Sequence, residues 1–479
     1  EAEKLLAVQS DYIRRRFDCS DFYLVYYPYI LRTFGKRGSG ILSEKTENEL
    51  TDCLLGFRYW IDEPGNDAMW FWSENHALMF HTCQLLAGEL FPDEVFTNSG
   101  LTGRQMQAKA KNMLYDWFVT FRKEGFTEWN SSPYLPIDTL GFGSLYAFAQ
   151  DPAMRELGRE GMDFAYYLLA VHSQQGIFAS SSGRTYIKEQ FGNWSNCPSG
   201  LSWIGYGYGV PGHAGKGITS YCLSDYEPPK EFAQWFSIPR GKEMICQTTQ
   251  GNDGYVDLYT YKTADYMMTS ANDFHPGEPG HQENPFQLTF NAVAQLWVTH
   301  PGERVLFGAA RPSYWAGNGT LPKVNQYKAF AGLIYDIAPE HPVDFTHLYL
   351  PSMEFDRCEV EGKWAFVQLG SAYAAVYCSN GIRMQDFGSN KDRECIAEGR
   401  RCIWLVRAAQ ADEFAAFDDF KAAMRGAALD ADAEGRRYRF VDPVYGELRC
   451  QWGETLYVND APMQYSGFDN YGKLTMQEK

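Results

Sequence analysis

The sequence predicts an α+β protein of two domains, a helical domain at residues 1–245 followed by an antiparallel β domain at residues 246–479. The chain has 479 residues, which is more than one hydrophobic core usually serves. Apolar residues recur with a helical period before about residue 240 and with a period of two after about residue 245. This change of period separates the two domains.

The helical half contains three long amphipathic segments. One runs from Ser73 to Leu90, a second begins at Thr102 and closes at Gly125, and a third begins near Ala153. Ser73 is placed to cap the first helix, and glycine commonly ends helices. Long helices joined by loops favour helical hairpins stacked around an axis, which is an (α/α) toroid in the form of an incomplete barrel. The loops at one end would build a cleft.

The segment between Phe191 and Pro229 loses this periodicity and is rich in Gly, Trp, Tyr and Ser, as in SWIGYGYGVPGHAGKG. One interpretation is a long loop near the cleft that acts as a lid. The other is an irregular connection between domains. The sequence leaves both open.

The second half reads as many short strands. GYVDLYTYK, FQLTFNAVAQLWVT, YAAVYC and RCIWLVR alternate or run apolar over strand lengths, with Gly, Pro and Asn between them. Strands that follow one another without helices indicate an antiparallel sheet or sandwich rather than a parallel sheet. An acidic, Ala-rich stretch near the C-terminus, AAQADEFAAFDDFKAAMRG, predicts one surface helix.

The charge of the chain bears on its partners. A formal net charge of −17 argues against nucleic acid and anionic membranes, because both select basic surfaces. The sequence contains no run of 18 apolar residues, so it does not suggest a transmembrane helix. Aromatic residues make up 16% of the chain, and flat rings suit the faces of sugars. An acidic protein can still bind a polyanion through a local cluster of cationic and amide groups.

The compartment is left open by the sequence. The 11 cysteines are scattered without CxxC pairs, which favours neither a disulfide framework nor zinc-ligand spacing and points towards a reducing compartment. The chain starts with the charged EAEKLL, so no leader is visible, although a processed start is compatible with secretion.

The strongest local signal is MWFWSENHALMFH at residues 69–81. It crowds polar groups and tryptophans into the first turn of a helix, where burial would be costly and a cleft is natural. The simpler alternative is that Asn75 caps the helix and His76 is a buried, hydrogen-bonded histidine. The candidate residues of this segment are Trp70, Trp72, Glu74, Asn75 and His76.

A second polar and aromatic cluster, GFTEWNSSPYLPIDTLGF, lies at residues 125–142 between two apolar helices. Tyr134 stands between two prolines and is held stiffly there. Ordinary loop packing would also explain the segment. Its candidate residues are Glu128, Trp129, Asn130, Tyr134 and Asp138.

Together these segments resemble a family, the toroid-fold alginate lyases and heparinase II/III-like polysaccharide lyases. An Asn-His pair at a helix start is followed 58 residues later by Tyr134. PGHQENPFQLTF around His281 looks like the family's Gly-His segment, with Gln282 and Glu283 in place of the usual His and Asp. GERVLFGAARPSYW resembles the strand that ends in a substrate-facing tyrosine, here Tyr314, with Trp315 beside it.

The resemblance implies β-elimination on a uronic acid residue of an acidic poly- or oligosaccharide. Asn75, together with His281 or Arg311, would hold the carboxylate and stabilise the charge that develops when C5 loses its proton. Tyr134 would protonate the leaving O4 and could act as base for a syn elimination, with His76 as base for an anti elimination. Tyr314 is the second candidate for either role.

Further charged residues complete the predicted site. Arg104, Arg184 and Arg311 stand beside turn residues and could fork onto a carboxylate or sulfate. Glu283 is assigned to substrate binding with them. No cofactor or catalytic metal is expected, although Asp273, His275 and His281 could form a small structural divalent-metal site of the kind that some relatives carry.

Two other functions use the same residues. A glycoside hydrolase needs two carboxylic acids across a cleft, and Glu74, Glu128 and Asp138 could supply them. A glycan-binding protein without activity would use the aromatic residues as a platform. The sequence does not choose the uronic acid, the mode of cleavage or the oligomeric state.

Overall fold

The computed structural model describes residues 1–67, 69–191, 196–211, 216–251, 255–305, 314–317 and 319–479. The chain forms two compact units. The helical unit comprises Glu1–Lys123, Tyr134–Tyr166 and Gly215–Pro228. The β unit comprises Glu124–Pro133, Tyr167–Ala214 and Pro229–Lys479. The ranges 124–133 and 167–214 therefore belong to the same unit as the strands.

The first half of the chain is helical, as its periodicity predicts. The three long segments foreseen in the sequence correspond to α5, α6 and α8, and the acidic stretch near the C-terminus contains α12. No helix among the described residues has the length and apolarity needed to cross a membrane. The helices are α1 (Ala2–Arg14), α2 (Ser20–Leu24), α3 (Tyr27–Phe34), α4 (Glu44–Gly56), α5 (Glu74–Leu90), α6 (Gly103–Glu124), α7 (Leu135–Phe148), α8 (Pro152–Val171), α9 (Ile187–Gln190), α10 (Cys197–Tyr206), α11 (Ile218–Cys222) and α12 (Phe417–Gly426).

Helix α5 is the central helix of the helical unit. It is apolar on nearly all sides, with Leu78, Phe80 and Leu85 fully buried, which is typical of a helix surrounded by others. Helix α7 packs directly on it. A Cβ built at Gly141 of α7 would lie 2.8 Å from the Leu78 side chain, so glycine allows the two helices to approach closely.

The second half of the chain is built from antiparallel strands, which confirms the predicted fold class. The strands are β1 (Lys242–Gln250), β2 (Val256–Lys262), β3 (Met267–Asn272), β4 (Phe286–Thr289), β5 (Gln295–Thr299), β6 (Lys323–Tyr327), β7 (Phe330–Asp336), β8 (Phe345–Tyr349), β9 (Arg357–Glu361), β10 (Trp364–Leu369), β11 (Ala372–Cys378), β12 (Arg383–Met384), β13 (Glu394–Glu398), β14 (Arg401–Gln410), β15 (Leu429–Asp432), β16 (Arg437–Asp442), β17 (Gly446–Gln451), β18 (Tyr457–Val458), β19 (Ala461–Pro462) and β20 (Lys473–Glu478).

These strands form three sheets. A nine-stranded sheet has the order β12-β13-β8-β5-β4-β3-β2-β1-β20, and a six-stranded sheet has the order β6-β7-β14-β11-β10-β9. The strands β15 to β19 form a five-stranded sheet in chain order. One hydrophobic core joins the sheets, since Leu288 and Val298 of the first belong to the same buried cluster as Leu333 and Ile403 of the second and Phe440 of the third. The β unit is therefore layered.

A buried ion network holds part of this core. Arg407 of β14 is 2% exposed, and it donates from Nε to Asp442 and from Nη2 to Glu413, both at 2.7 Å. We expect Arg407→Met to lower the free energy of unfolding by about 3–5 kcal/mol, because it leaves a buried carboxylate without its cation. Urea denaturation followed by tryptophan fluorescence measures this change.

The matched control is Arg439→Met, which removes a half-exposed pair with Glu447 on neighbouring strands. An exposed pair contributes less than about 1 kcal/mol. Equal destabilisation by the two variants would contradict the role of the buried network.

The β unit also contains a histidine that is held neutral. The Nδ1 of His300 accepts from the backbone N–H of Thr320 at 2.7 Å, and its Nε2 donates to the Val343 carbonyl at 3.2 Å. Burial, with the neighbouring His341 as a smaller cause, lowers the pKa of His300 to about 3. An unfolded chain takes up this proton near the ordinary pKa of about 6.5.

This difference predicts how stability depends on pH. The stabilising contribution is complete above about pH 6.5 and decreases by up to about 1.4 kcal/mol per pH unit between 6.5 and about 3, because only the unfolded chain binds the proton there. We expect His300→Gln to make the unfolding free energy less dependent on pH in this range. Urea midpoints at pH 7, 5 and 4 test this, and an unchanged slope would contradict it.

Candidate functional site

The start of α5 presents a buried amide whose nitrogen makes no hydrogen bond with the described residues. Asn75 is 2% exposed, and its Oδ1 accepts from the Ser73 hydroxyl at 3.1 Å. Its Nδ2 has no hydrogen-bond partner among the described residues. The N-cap of the helix is Ser73, so Asn75 does not serve as the cap. Since an unsatisfied buried donor costs about 1–3 kcal/mol, this amide marks a position where a ligand oxygen would be stabilised.

His76 is fixed by α2 and the turn before it. Its Nδ1 lies 2.8 Å from Asp21 Oδ2, its Nε2 lies 3.9 Å from Asp18 Oδ1, and its ring stacks on Phe22. Burial alone would lower the pKa of His76, but the hydrogen bond to Asp21 and the neighbouring Cys19 outweigh it and raise the pKa to about 10. Both ring nitrogens of His76 therefore face protein groups.

Tyr134 stands at the start of α7, a helix that packs on α5. Trp117, in the last part of α6, donates to the Glu74 carbonyl at 3.2 Å, and its ring lies 5.7 Å from that of Phe142 in α7. The last part of α6 therefore packs against both α5 and α7. Tyr134 is the half-buried N-cap of α7, with a proline in the first turn. Asn75 and His76 thus lie in the first turn of α5, and Tyr134 lies at the N-cap of α7.

Two exposed tryptophans precede the start of α5. Trp70 and Trp72 are 53% and 64% exposed, and their rings meet edge to face with centroids 5.2 Å apart. Large exposed rings suit the apolar faces of sugar rings. Glu74 is half-buried and contributes its carbonyl to Trp117.

Arg104 lies at the other end of the helical unit. It belongs to the first turn of α6, which packs on the end of α5, and its backbone N–H donates to the Pro92 carbonyl. Its side chain is exposed and pairs with Asp93 at 3.0 Å. The structure does not bring Arg104 to Asn75, because α5 and α6 run in opposite directions.

A second group of the predicted residues meets within the β unit. Arg184 Nη1 donates to Glu128 at 3.0 Å, and its Nη2 donates to the Tyr186 hydroxyl at 3.2 Å. The backbone N–H of Gly183 donates to the Trp129 carbonyl, and that of Thr185 donates to the Gln282 carbonyl. Three loops are thereby interlocked, and they carry Glu128, Arg184 and Glu283 on adjacent segments.

Glu283 is the carboxyl group of this cluster with a perturbed pKa. Burial raises the pKa of Glu283, although Arg184 and His275 oppose the shift and the His281 backbone N–H donates to the carboxylate. The side chain of His281 is exposed. A guanidinium beside a carboxyl of raised pKa can bind an acidic or hydroxyl-rich ligand.

Trp129 is a core residue in this structure. It is 1% exposed, packs edge to face on Phe274 and covers Gly183, where an added Cβ would lie within 3 Å of its ring. Its ring is not available as a stacking surface for a sugar. The sequence alone does not distinguish a tryptophan buried in the core from one that is exposed to stack on a sugar.

A small pocket beside these loops was not foreseen. It has a lining rich in hydroxyl and amide groups. Gln287 joins its wall by accepting from Gln190 at 3.1 Å and from Asn284 at 2.9 Å. The run of three serines at 180–182 was the available signal in the sequence. The lining residues are Ser132, Phe178, Ala179, Ser180, Ser182, Thr185, Glu189, Gln190 and Gln287.

Tyr314 and Trp315 lie in a buried cluster of the β unit. The Tyr314 hydroxyl donates to Glu394 at 2.6 Å, His347 contacts the same carboxylate at 2.7 Å, and Trp315 stacks on His347. Burial raises the pKa of Tyr314, and the Glu394 carboxylate adds to the shift. A raised pKa opposes the role of base. Arg311 lies outside the described residues.

Two of the three residues predicted for a structural metal, Asp273 and His275, use their side chains in other contacts. Asp273 accepts from Lys323 and from Asn325, and His275 pairs with Glu278 at 3.2 Å. This metal site stays a prediction.

The chain is similar to heparinase III. One solved structure of heparinase III is 9% identical, with a TM-score of 0.44, over 93% of this chain and 74% of that chain. A second, a heparinase III gene product, is 10% identical, with a TM-score of 0.39, over 96% of this chain and 73% of that chain. No family model and no curated protein matches the sequence.

The contact between His76 and its acidic partner Asp21 was not predicted from the sequence. Asp21 lies 55 positions before it and is fully buried against the imidazole. The DCSDFY segment, with two acids near a helix start, was the available signal. It became meaningful only when α2 was placed against α5.

Proposed function

We propose that this chain is a polysaccharide lyase that cleaves a uronate-containing glycan by β-elimination. The observation that carries the proposal is the buried Asn75 amide, whose Nδ2 makes no hydrogen bond within the described residues. It stands at a helix start, where the backbone dipole favours negative charge. A substrate carboxylate supplies the acceptor that this donor lacks.

The proposed reaction combines groups from the starts of α5 and α7. Asn75 donates to the uronate carboxylate, and this contact strengthens as charge moves onto it during loss of the C5 proton. Tyr134, as phenolate, takes that proton. The C4–O4 bond then breaks, a C4=C5 double bond forms, and the Tyr134 hydroxyl returns the proton to the departing O4. No water is added.

The exposed tryptophans support a saccharide as the substrate. Trp70 and Trp72 offer apolar surface within a few residues of Asn75, which suits sugar faces. The substrate of the proposed reaction is a polymer or oligomer of acidic sugars, since the mechanism needs a carboxylate next to the reacting carbon. The Asn75 amide recognises a carboxylate and does not distinguish one uronic acid from another.

The hydrolase alternative requires two carboxyl groups with different protonation states across one cleft. Asp138 is buried in the first turn of α7, and Glu128 is held by Arg184. Glu128 therefore serves an ion pair. The glycan-binding alternative requires binding without turnover.

A panel of uronate polymers and oligosaccharides, assayed for new ultraviolet absorbance, tests the proposal. We expect an unsaturated sugar end and no incorporation of ¹⁸O from labelled water at the cleaved bond. A product with one added water would assign a hydrolase, and tight binding without any product would assign a glycan-binding protein. Either result would reject the elimination mechanism.

A further inference from the structure

The turn before α2 places two metal-binding side chains next to a third on α5. A carboxylate oxygen of Asp18, the sulfur of Cys19 and a ring nitrogen of His76 all lie within 4.8 Å of one another. The contact between Asp18 Oδ1 and His76 Nε2 is 3.9 Å. No other set of three such side chains gathers in the part of the chain that the structure describes. Carboxylate, thiol and imidazole are three different kinds of ligand atom at one point.

A buried carboxylate orients the imidazole of this group. Asp21 Oδ2 lies 2.8 Å from His76 Nδ1, and the Phe22 ring stacks on the imidazole with centroids 4.9 Å apart. The Nδ1 proton is therefore shared with Asp21, and Nε2 is turned towards Asp18. Histidine ligands of metal ions usually donate their second ring N–H to a carboxylate or carbonyl in this way. His76 has the orientation that a metal ligand needs.

The turn that carries the other two ligands is held in place. The Tyr12 hydroxyl donates to the Asp18 carbonyl at 2.7 Å, and the Phe22 N–H donates to the Cys19 carbonyl at 3.2 Å. Cys19 has a φ of 67°, a left-handed conformation that is uncommon for residues with a side chain. Cys19 forms no disulfide bond, and the Asp18 side chain is 49% exposed. A cation can reach the group from solvent.

The ligand types select the cation. Zn²⁺ binds thiolate, imidazole and carboxylate at about 2.0–2.3 Å, which places tetrahedral ligand atoms about 3.3–3.8 Å apart. The observed spacing needs a contraction of about 1 Å, which the exposed Asp18 side chain can provide by rotating. Magnesium and calcium prefer sets made only of oxygen.

We infer that Asp18, Cys19 and His76 bind one Zn²⁺, with Asp21 as the positioning residue behind His76. Three protein ligands leave a fourth position for water or a ligand oxygen. The ion would also join the turn before α2 to α5, so it would stabilise the folded chain. The site is separate from the proposed elimination, whose reacting groups are supplied by Asn75 and Tyr134.

Titration of the chelator-treated full chain with Zn²⁺ alone tests the inference, with isothermal calorimetry as the readout. We expect one equivalent to bind, with an affinity at least about tenfold weaker in Cys19→Ser and Asp18→Asn, and about 10–100-fold weaker in Asp21→Asn. Cys222→Ser and Asp11→Asn are the matched controls, because they change an exposed thiol and an exposed carboxylate elsewhere in the helical unit. Both controls should bind as the parent chain does.

Two further measurements keep the test decisive. Co²⁺ in place of Zn²⁺ should give a thiolate-to-metal absorption band that Cys19→Ser removes, and Zn²⁺ should raise Tm in the parent but not in this variant. Circular dichroism shows that the near-isosteric serine variant is folded. Equal Zn²⁺ binding by all variants would overturn the inference. Rapid alkylation of Cys19 that Zn²⁺ does not slow would also overturn it, because that result would indicate a thiol–imidazole pair instead of a metal site.

Discussion

Tyr134→Phe is expected to lower kcat on the uronate polymer by about 10²–10⁴-fold, with KM changed less than threefold. The substitution removes one oxygen and keeps the ring. Tyr134 is half-buried at the N-cap of α7, where its backbone carbonyl accepts from Ile137 and Asp138. Those contacts survive in the variant, so the fold of the helix start is retained. What the variant loses is the group that moves the proton in the proposed reaction.

The control for this prediction is Tyr115→Phe, which removes a hydroxyl from an exposed tyrosine on α6. It should have parental kcat. Initial rates of absorbance at the new double bond give kcat and KM for both variants. A Tyr134→Phe enzyme with at least half the parental kcat would show that another group transfers the proton, and His76 would then have to be reconsidered.

The fold class could be predicted because it depends on local periodicity. The helical period of α5, α6 and α8, the alternation in β2 and the apolar run of β14 can all be read from consecutive residues. The order of the strands is not local. Strand β20 at the C-terminus pairs with β1 through the register Met244 to Met476, and no spacing in the sequence indicates it. The sheet topology therefore needed the structure.

The candidate site divides in the same way. Asn75 and His76 could be found because polar residues at an apolar helix start are unusual over a few consecutive positions. Asp21 could not, because its contact with His76 depends on how α2 packs on α5. Trp129 was assigned to a sugar platform because exposed and buried tryptophans have the same sequence signal; only its packing on Gly183 shows the difference.

Asn75→Ala is expected to reduce activity strongly while changing the stability of the fold little. We expect kcat/KM on the uronate polymer to fall by about 10²–10³-fold, since removing one preorganised donor to a developing oxyanion typically costs that much. The free energy of unfolding should change by less than about 1 kcal/mol. The variant loses the hydrogen bond from Ser73 to Oδ1, but it also removes a buried donor that has no partner among the described residues.

A purely structural asparagine would behave in the opposite way, with a lower Tm and unchanged turnover of the folded fraction. Asn112→Ala, on the exposed side of α6, is the matched control and should change neither quantity. Asn75→Asp sharpens the test further. The new carboxylate keeps the size of the side chain but repels a substrate carboxylate, so KM should rise as well as kcat fall. Parental activity in Asn75→Asp would show that no anion binds at this helix start, and the uronate substrate would have to be abandoned with it.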